Sequence, residues 1–456
     1  MLPSLLALLV PLTAPTADAF CGAYAGSAGT DIYNSVSQVA IARQGNRTTL
    51  SVANDIEGSA GADFALLIPV PEILTEDDVH VLDPADFGVL DGYTRPRLVE
   101  YTCDDFAPTY TDPCDNMDYA MADEAGGDGG GGDTGAPSGV DVEAEFIVGE
   151  YQVVVLSAEE SGDLLSWLDA EGYAVSAATQ GMLQEYLDAG SYFFAAKVAA
   201  DAEIGEGEML SPLQFSYDSE VFSLPIRIGT AASKGVQDLI VYAVTDFADG
   251  MVGISNYDEM SFEDECMLDS TFDTDFGGDL GAFYLDQFES AYFAEPGADW
   301  MTEYAWGNGH CDPCTGEEPD EQKLSNLGFN YELMEYGYFI TRLHLRYTPE
   351  EATQDPVFYM TGRTDQEQMR YIDYVYELED RFPICGVGMV SDPGTCNYAP
   401  NPYPDECLDD GKSWGWAGAP PDEEVSELKG GCSTVGAVAG VSGLLLAMVG
   451  LARRRD

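Results

Sequence analysis

The chain has 456 residues, with 18 Lys plus Arg against 82 Asp plus Glu and a formal net charge of −64. That balance excludes a duplex nucleic-acid binder working by phosphate neutralisation and argues against docking on anionic lipid through a charged face, since both need a basic surface. A hydrophobic fraction of 45% with 11% aromatic residues excludes an acidic disordered chain, and the length suffices for one large domain or two ordinary ones.

Residues 2–12 are an apolar run followed by Pro15 and Ala17-Asp18-Ala19. The run is too short to span a bilayer, and A-x-A is the small-residue pattern that signal peptidase needs. Residues 1–19 therefore read as a signal peptide, with Ala17 and Ala19 flanking the cut and Phe20-Cys21 as the mature start. The leader lacks Lys and Arg, a departure from the usual pattern. Cys21 invites a lipoprotein reading, but Asp18 and Phe20 stand where a lipobox has an aliphatic and a small residue.

Residues 20–122 form the N-terminal part of the exported body. Segments 36–43 and 48–52 predict a hairpin around Gln44-Gly45-Asn46, and Phe64–Val70 predicts a short apolar strand stopped by Pro69 and Pro71. Residues 123–139 are Gly-rich and form a loop or linker. The main part, 140–398, opens with a strand at 151–156. Ser157-Ala158-Glu159-Glu160 then reads as a capping box for a helix with Leu164, Leu165 and Leu168 on one face and Gly172 as its stop. A second helix is expected over 177–187, with strands at Tyr192–Val198, 220–228, 238–244 and Tyr338–Tyr347. Helices and strands do not alternate regularly. The expected class is α+β, a mainly antiparallel sheet with a few helices, stapled by disulfides.

Residues 399–431 are a Pro- and acid-rich stalk, and 432–456 form a tail. Residues 433–452 carry no charge, and twenty residues at 1.5 Å rise match a hydrocarbon core of roughly 30 Å. Arg453, Arg454 and Arg455 keep that end cytoplasmic by the positive-inside rule. Gly430-Gly431-Cys432, one transmembrane helix and a terminal Arg cluster resemble the C-terminal sorting tails of myxobacterial and related surface proteins. The resemblance implies processing at Gly431 and Cys432 by an intramembrane sorting protease and display at the cell surface.

A second resemblance is carried by eight segments in order: F-C-G-A-Y at 20–24, S-Q-V-A-I-A-R-Q-G-N-R-T-T-L-S at 37–51, F-A-L-L-I-P-V-P at 64–71, P-R-L-V-E-Y at 96–101, F-I-V-G-E-Y-Q-V-V-V-L-S-A at 146–158, L-S-P-L-Q-F-S-Y-D-S-E at 210–220, Q-D-L-I-V-Y at 237–242 and I-T-R-L-H-L-R-Y at 340–347. They resemble an uncharacterised exported bacterial family, the domain-of-unknown-function family numbered 2330, over about 20–358. The resemblance implies export with no assigned activity and supplies no catalytic residues. The Gly-rich insert and the Tyr/Asp-rich stretch 261–304 look particular to this chain.

Nine of the ten Cys lie outside the tail, and in an oxidising compartment they read as disulfides. The nearest pairs are Cys103 with Cys114 and Cys385 with Cys396, with Cys311 and Cys314 as further candidates. The segment His310-Cys311-Asp312-Pro313-Cys314 also has zinc-ligand types together with Cys266, and a redox C-x-x-C pattern without the strand-then-helix setting. Asp273, Asp275 and Asp279 form a weak calcium candidate, since the loop fails as an EF-hand at Gly277 and Tyr284; a solvated acidic loop is the plainer reading. Of the three His, His80 and His310 sit in no motif, and His344, in L-H-L on an expected strand, reads as structural. No metalloprotease helix or phosphate loop is present.

Catalytic residues and cofactors are therefore not nominated beyond that calcium candidate. The expectation is an exported, cell-envelope or surface-anchored acidic protein with a binding or structural role; the alternative is a secreted envelope hydrolase acting on glycan or peptide. Its implied partners are signal peptidase, the sorting protease and the membrane through the C-terminal helix, with no nucleic acid. Only 5 of the 18 basic residues are Lys, a balance resembling that of salt-adapted proteins.

Overall fold

The computed structural model describes residues 23–27, 32–33, 37–54, 57–58, 64–106, 140–149, 151–198, 211–231, 235–269, 272, 280–294, 297, 299–309, 317–331, 337–391 and 394–396. The strands of its two main sheets are β1 (Ala23–Ser27), β2 (Ser37–Gln44), β3 (Arg47–Asn54), β4 (Phe64–Val70), β5 (Val79–Val81), β6 (Val140–Val148), β7 (Tyr151–Ala158), β8 (Tyr173–Ala174), β9 (Tyr192–Val198), β10 (Leu213–Asp218), β11 (Gln237–Asp246), β12 (Asp299–Gly307), β13 (Tyr338–Tyr347) and β14 (Glu367–Gln368). The covering helices are α1 (Pro84–Thr94), α2 (Ser161–Ala170), α3 (Ala177–Asp188), α4 (Leu280–Ala294) and α5 (Glu321–Asn326).

One sheet has six strands in the order β8-β1-β4-β9-β7-β6, and the other has eight in the order β14-β12-β13-β11-β2-β3-β10-β5. Every pairing within them is antiparallel except β11 with β2, so the class is α+β with mainly antiparallel sheets. Strands from either side of the Gly-rich segment share both sheets: β9 lies between β4 and β7, and β11 between β13 and β2.

Period-two alternation assigns the faces. Phe64, Leu66 and Ile68 of β4, with Val153 and Val155 of β7, meet Val39, Ile41, Leu239, Val241 and Leu343 of the larger sheet in the central core. The alternate residues Ala65, Leu67, Val154 and Leu156 face Leu164 and Leu168 of α2 and Leu183 of α3. On the far side of the larger sheet, Ala40, Ile240 and Ile340 pack beneath Phe87 and Leu90 of α1 and Leu324 of α5. Both sheets are thus covered on both faces, which is why β4 and β11 read as nearly unbroken apolar runs.

The hairpin forms as its pattern predicts, with Gly45 at φ +57 in the turn. Several expectations need correction. Strand β4 runs on through Pro69; β1 pairs no further than Leu67, which leaves Pro69 beside a single strand and accommodates a residue without an N–H. Ser157 and Ala158 complete β7 instead of capping a helix: the Ser157 hydroxyl donates to Glu143, and α2 starts at Ser161 with Glu160 as N-cap. The expected strand at 220–228 is reduced to one bridge, Ser223 to Val357, because Pro225 has no N–H to donate; Arg227–Thr230 is a helical turn.

A small parallel sheet joins Cys266–Met267, Arg370–Ile372 and Arg97–Val99. It explains the disulfides. Cys103 is bonded to Cys396, and Cys266 to Cys385, with sequence separations of 293 and 119. These replace the local pairs Cys103–Cys114 and Cys385–Cys396, since the parallel alignment of 97–99 with 370–372 brings the chain after one strand beside the chain after the other. Cys114 lies outside the described residues.

Candidate functional site

Beneath α1 and α4, the outer face of β11, β12 and β13 carries a charged patch beside its apolar residues. Alternation along β13 turns Arg342, His344 and Arg346 to this face, and β11 adds Asp238 and Tyr242. Strand β12 reaches it through a bulge: Thr302 stands opposite Leu343 and Tyr304 opposite Arg342, so Glu303 is an extra residue in the ladder. A bulge re-aims a side chain, and here it brings Glu303 between Arg342 and His344. Helix α4 covers the patch with Tyr284, Phe288 and Tyr292, spaced four residues apart on one face.

The contacts form one chain. Arg342 donates to Asp91 of α1 at 2.7 Å and, through Nε, to Glu303. Glu303 also accepts the Tyr284 hydroxyl and lies 2.8 Å from His344 Nδ1. His344 Nε2 is 2.9 Å from Asp238, which receives Arg346 in a two-pronged contact at 2.7 and 2.8 Å. Phe288 stacks on the imidazole with ring centroids 3.9 Å apart, and the Arg346 guanidinium lies 4.8 Å from the Phe288 ring centre. The side chains of Arg342, Glu303 and His344 are 1–2% exposed.

Burial alone would raise Glu303, but Arg342 and His344 outweigh it and hold the carboxyl at about 2. Asp238 is likewise pulled below the carboxylate range against its burial, chiefly by Arg346 and then His344. For His344 burial favours the neutral ring, yet Glu303 and Asp238 prevail and raise it. A depressed carboxyl adds stability that is complete above its unfolded value near 4.5 and is lost as pH falls toward about 2. Urea midpoints of the wild type should therefore fall more steeply across that window than those of Glu303→Gln. Parallel curves would count against this role for Glu303.

Both ring nitrogens of His344 lie against carboxylates, an arrangement an imidazolium satisfies with two N–H donors. Neither nitrogen is left to take a proton from a Ser, Thr or Cys, so the ring ties strands together instead of activating a nucleophile.

Of the residues singled out from sequence, His344 is on a strand as expected, and the network around it joins acids that no motif marked. His80 is exposed on β5. Cys266 is oxidised to a disulfide and so cannot serve as a zinc thiolate; His310, Cys311 and Cys314 lie outside the described residues. Asp273, Asp275 and Asp279, Ala17 and Ala19, Gly431 and Cys432, and Arg453 to Arg455 also lie outside them. Among the described residues no group of three His, Cys, Asp or Glu is placed to hold a metal, and no helix is long and apolar enough to cross a membrane.

Two packed sheets, helices on both outer faces and a buried ion network define a disulfide-bonded α+β protein. The chain belongs to the family described as "Uncharacterized protein conserved in bacteria (DUF2330)", which it matches over residues 15–359. Every residue of the network falls inside that span, while Cys385 and Cys396 lie beyond it. No curated protein and no solved structure matches the chain.

Proposed function

We propose that this is an exported acidic protein, held at the cell envelope or displayed on the surface, with a binding or structural role. The observation that carries the reading is two disulfides among the described residues, which close separations of 293 and 119 residues. Such bonds persist in oxidising compartments and are rare where thiols are kept reduced. The signal peptide at 1–19 and the tail with its apolar stretch and Arg453 to Arg455 supply a route out and an anchor. His344 has both nitrogens engaged, so the buried network supports a scaffold more than a hydrolase.

The charge distribution fits this role. Most basic side chains among the described residues are spent on ion pairs within the fold, among them Lys197 with Glu171, Arg227 with Glu185, Lys323 with Asp86 and Arg370 with Glu265. The large excess of acids over basic residues suits a medium rich in cations. Intact-mass and non-reducing peptide analysis of the protein from an envelope fraction tests the reading. The expected result is a mature chain starting at Phe20, a processed or modified end near Cys432 and both disulfides formed. A cytosolic chain that keeps Met1 and carries free thiols would overturn it.

A further inference from the structure

We propose that helix α4 is a pH-sensitive latch, held on the outer face of the larger sheet by the imidazolium of His344 and released when that ring loses its proton. The network buries three carboxylates, Asp91, Asp238 and Glu303, against two guanidiniums, Arg342 and Arg346. It is neutral only when His344 supplies a third cation. A neutral ring has one N–H, so it cannot donate to Glu303 and Asp238 together, and one carboxylate then faces a lone pair in a site without water's screening.

Helix α4 rests on this point. Phe288 covers the ring, the Tyr284 hydroxyl is bonded to Glu303, and the Tyr292 hydroxyl donates to Glu351 at 2.6 Å. Arg346 lies beneath the rings of both Phe288 and Tyr292. The charged and titratable groups around His344 come from each neighbouring element: Glu303 and Asp299 from β12, Arg342 and Arg346 from its own strand, Asp238 and Tyr242 from β11, Asp91 from α1, Tyr284, Glu289 and Tyr292 from α4, and Tyr371 from the small sheet. Burial holds the tyrosines above their ordinary value, and Glu303 and Asp238 are held low. The ring is the group that touches both Glu303 and Asp238, so its proton sets the balance between them. Because its proton is held more tightly closed than open, the latch is fully stabilised below the ordinary histidine value near 6.5 and weakens as pH rises through the raised one.

Hydrogen–deuterium exchange of the full chain across about pH 6 to 10, corrected for intrinsic rates, tests this. Protection of 280–294 should fall by about tenfold per pH unit above about 6.5 and then level off, while the hairpin 37–54 keeps its protection. In His344→Gln the helix should exchange quickly at every pH with no slope. The proposal is overturned by a wild-type helix whose protection is flat or follows the hairpin, or by a slope that survives in His344→Gln. If the variant does not fold, the wild-type series decides alone.

Discussion

Replacing Arg342 by methionine is expected to lower stability by about 3–5 kcal/mol, read as a drop in the urea midpoint. The side chains are similar in volume, so the loss is not a cavity. It arises because Asp91 and Glu303 remain, both buried, after the guanidinium that answers them is gone. The comparison is Arg363→Met, where the guanidinium is 52% exposed and its partners Asp365 and Glu367 stand in solvent. That change should cost about 0–1 kcal/mol, as exposed ion pairs do. Equal midpoints for the two variants would show that water reaches the network and that the charges need no partner.

The second large effect is expected at Cys266 and Cys385. Replacing both by alanine should cost about 2–5 kcal/mol, because a link closing 119 residues restricts the unfolded chain strongly. Cys103 and Cys396 are both partly exposed, whereas the Cys266–Cys385 bond has one fully buried sulfur, Cys266, and one partly exposed, Cys385, so graded dithiothreitol should open the Cys103–Cys396 bond first. Non-reducing peptide mapping over a reduction time course gives the order. A double-alanine variant with the wild-type urea midpoint would remove the Cys266–Cys385 bond from any account of stability.

Local pattern carried the elements whose signals are local. The hairpin at Gly45, helix α3 behind its Ser176 cap and strands β9, β11 and β13 are written in alternation, caps and turns. The network is not. Asp91, Asp238 and Glu303 are three among 82 acids, they join β13 across long stretches of chain, and Glu303 owes its placement to a bulge that no alternation predicts. Tyr284, Phe288 and Tyr292 did offer a signal, an aromatic stripe at helical spacing, inside a Tyr/Asp-rich stretch that gave no other cue. The disulfides follow the same logic: nearness in sequence favoured local pairs, whereas a parallel sheet of three distant segments decides which sulfurs meet.

The Cys103–Cys396 bond also settles how the molecule carries a mechanical load. Tension entering from the C-terminal side crosses from Cys396 to Cys103 through sulfur and continues toward the amino terminus. The intervening stretch, including β6 to β14 and most of the ion network, is closed into a covalent ring and cannot be drawn out end to end. A copy pulled between its two ends would yield only in the segments outside that ring, and its larger sheet would keep β11, β12 and β13 together while they did.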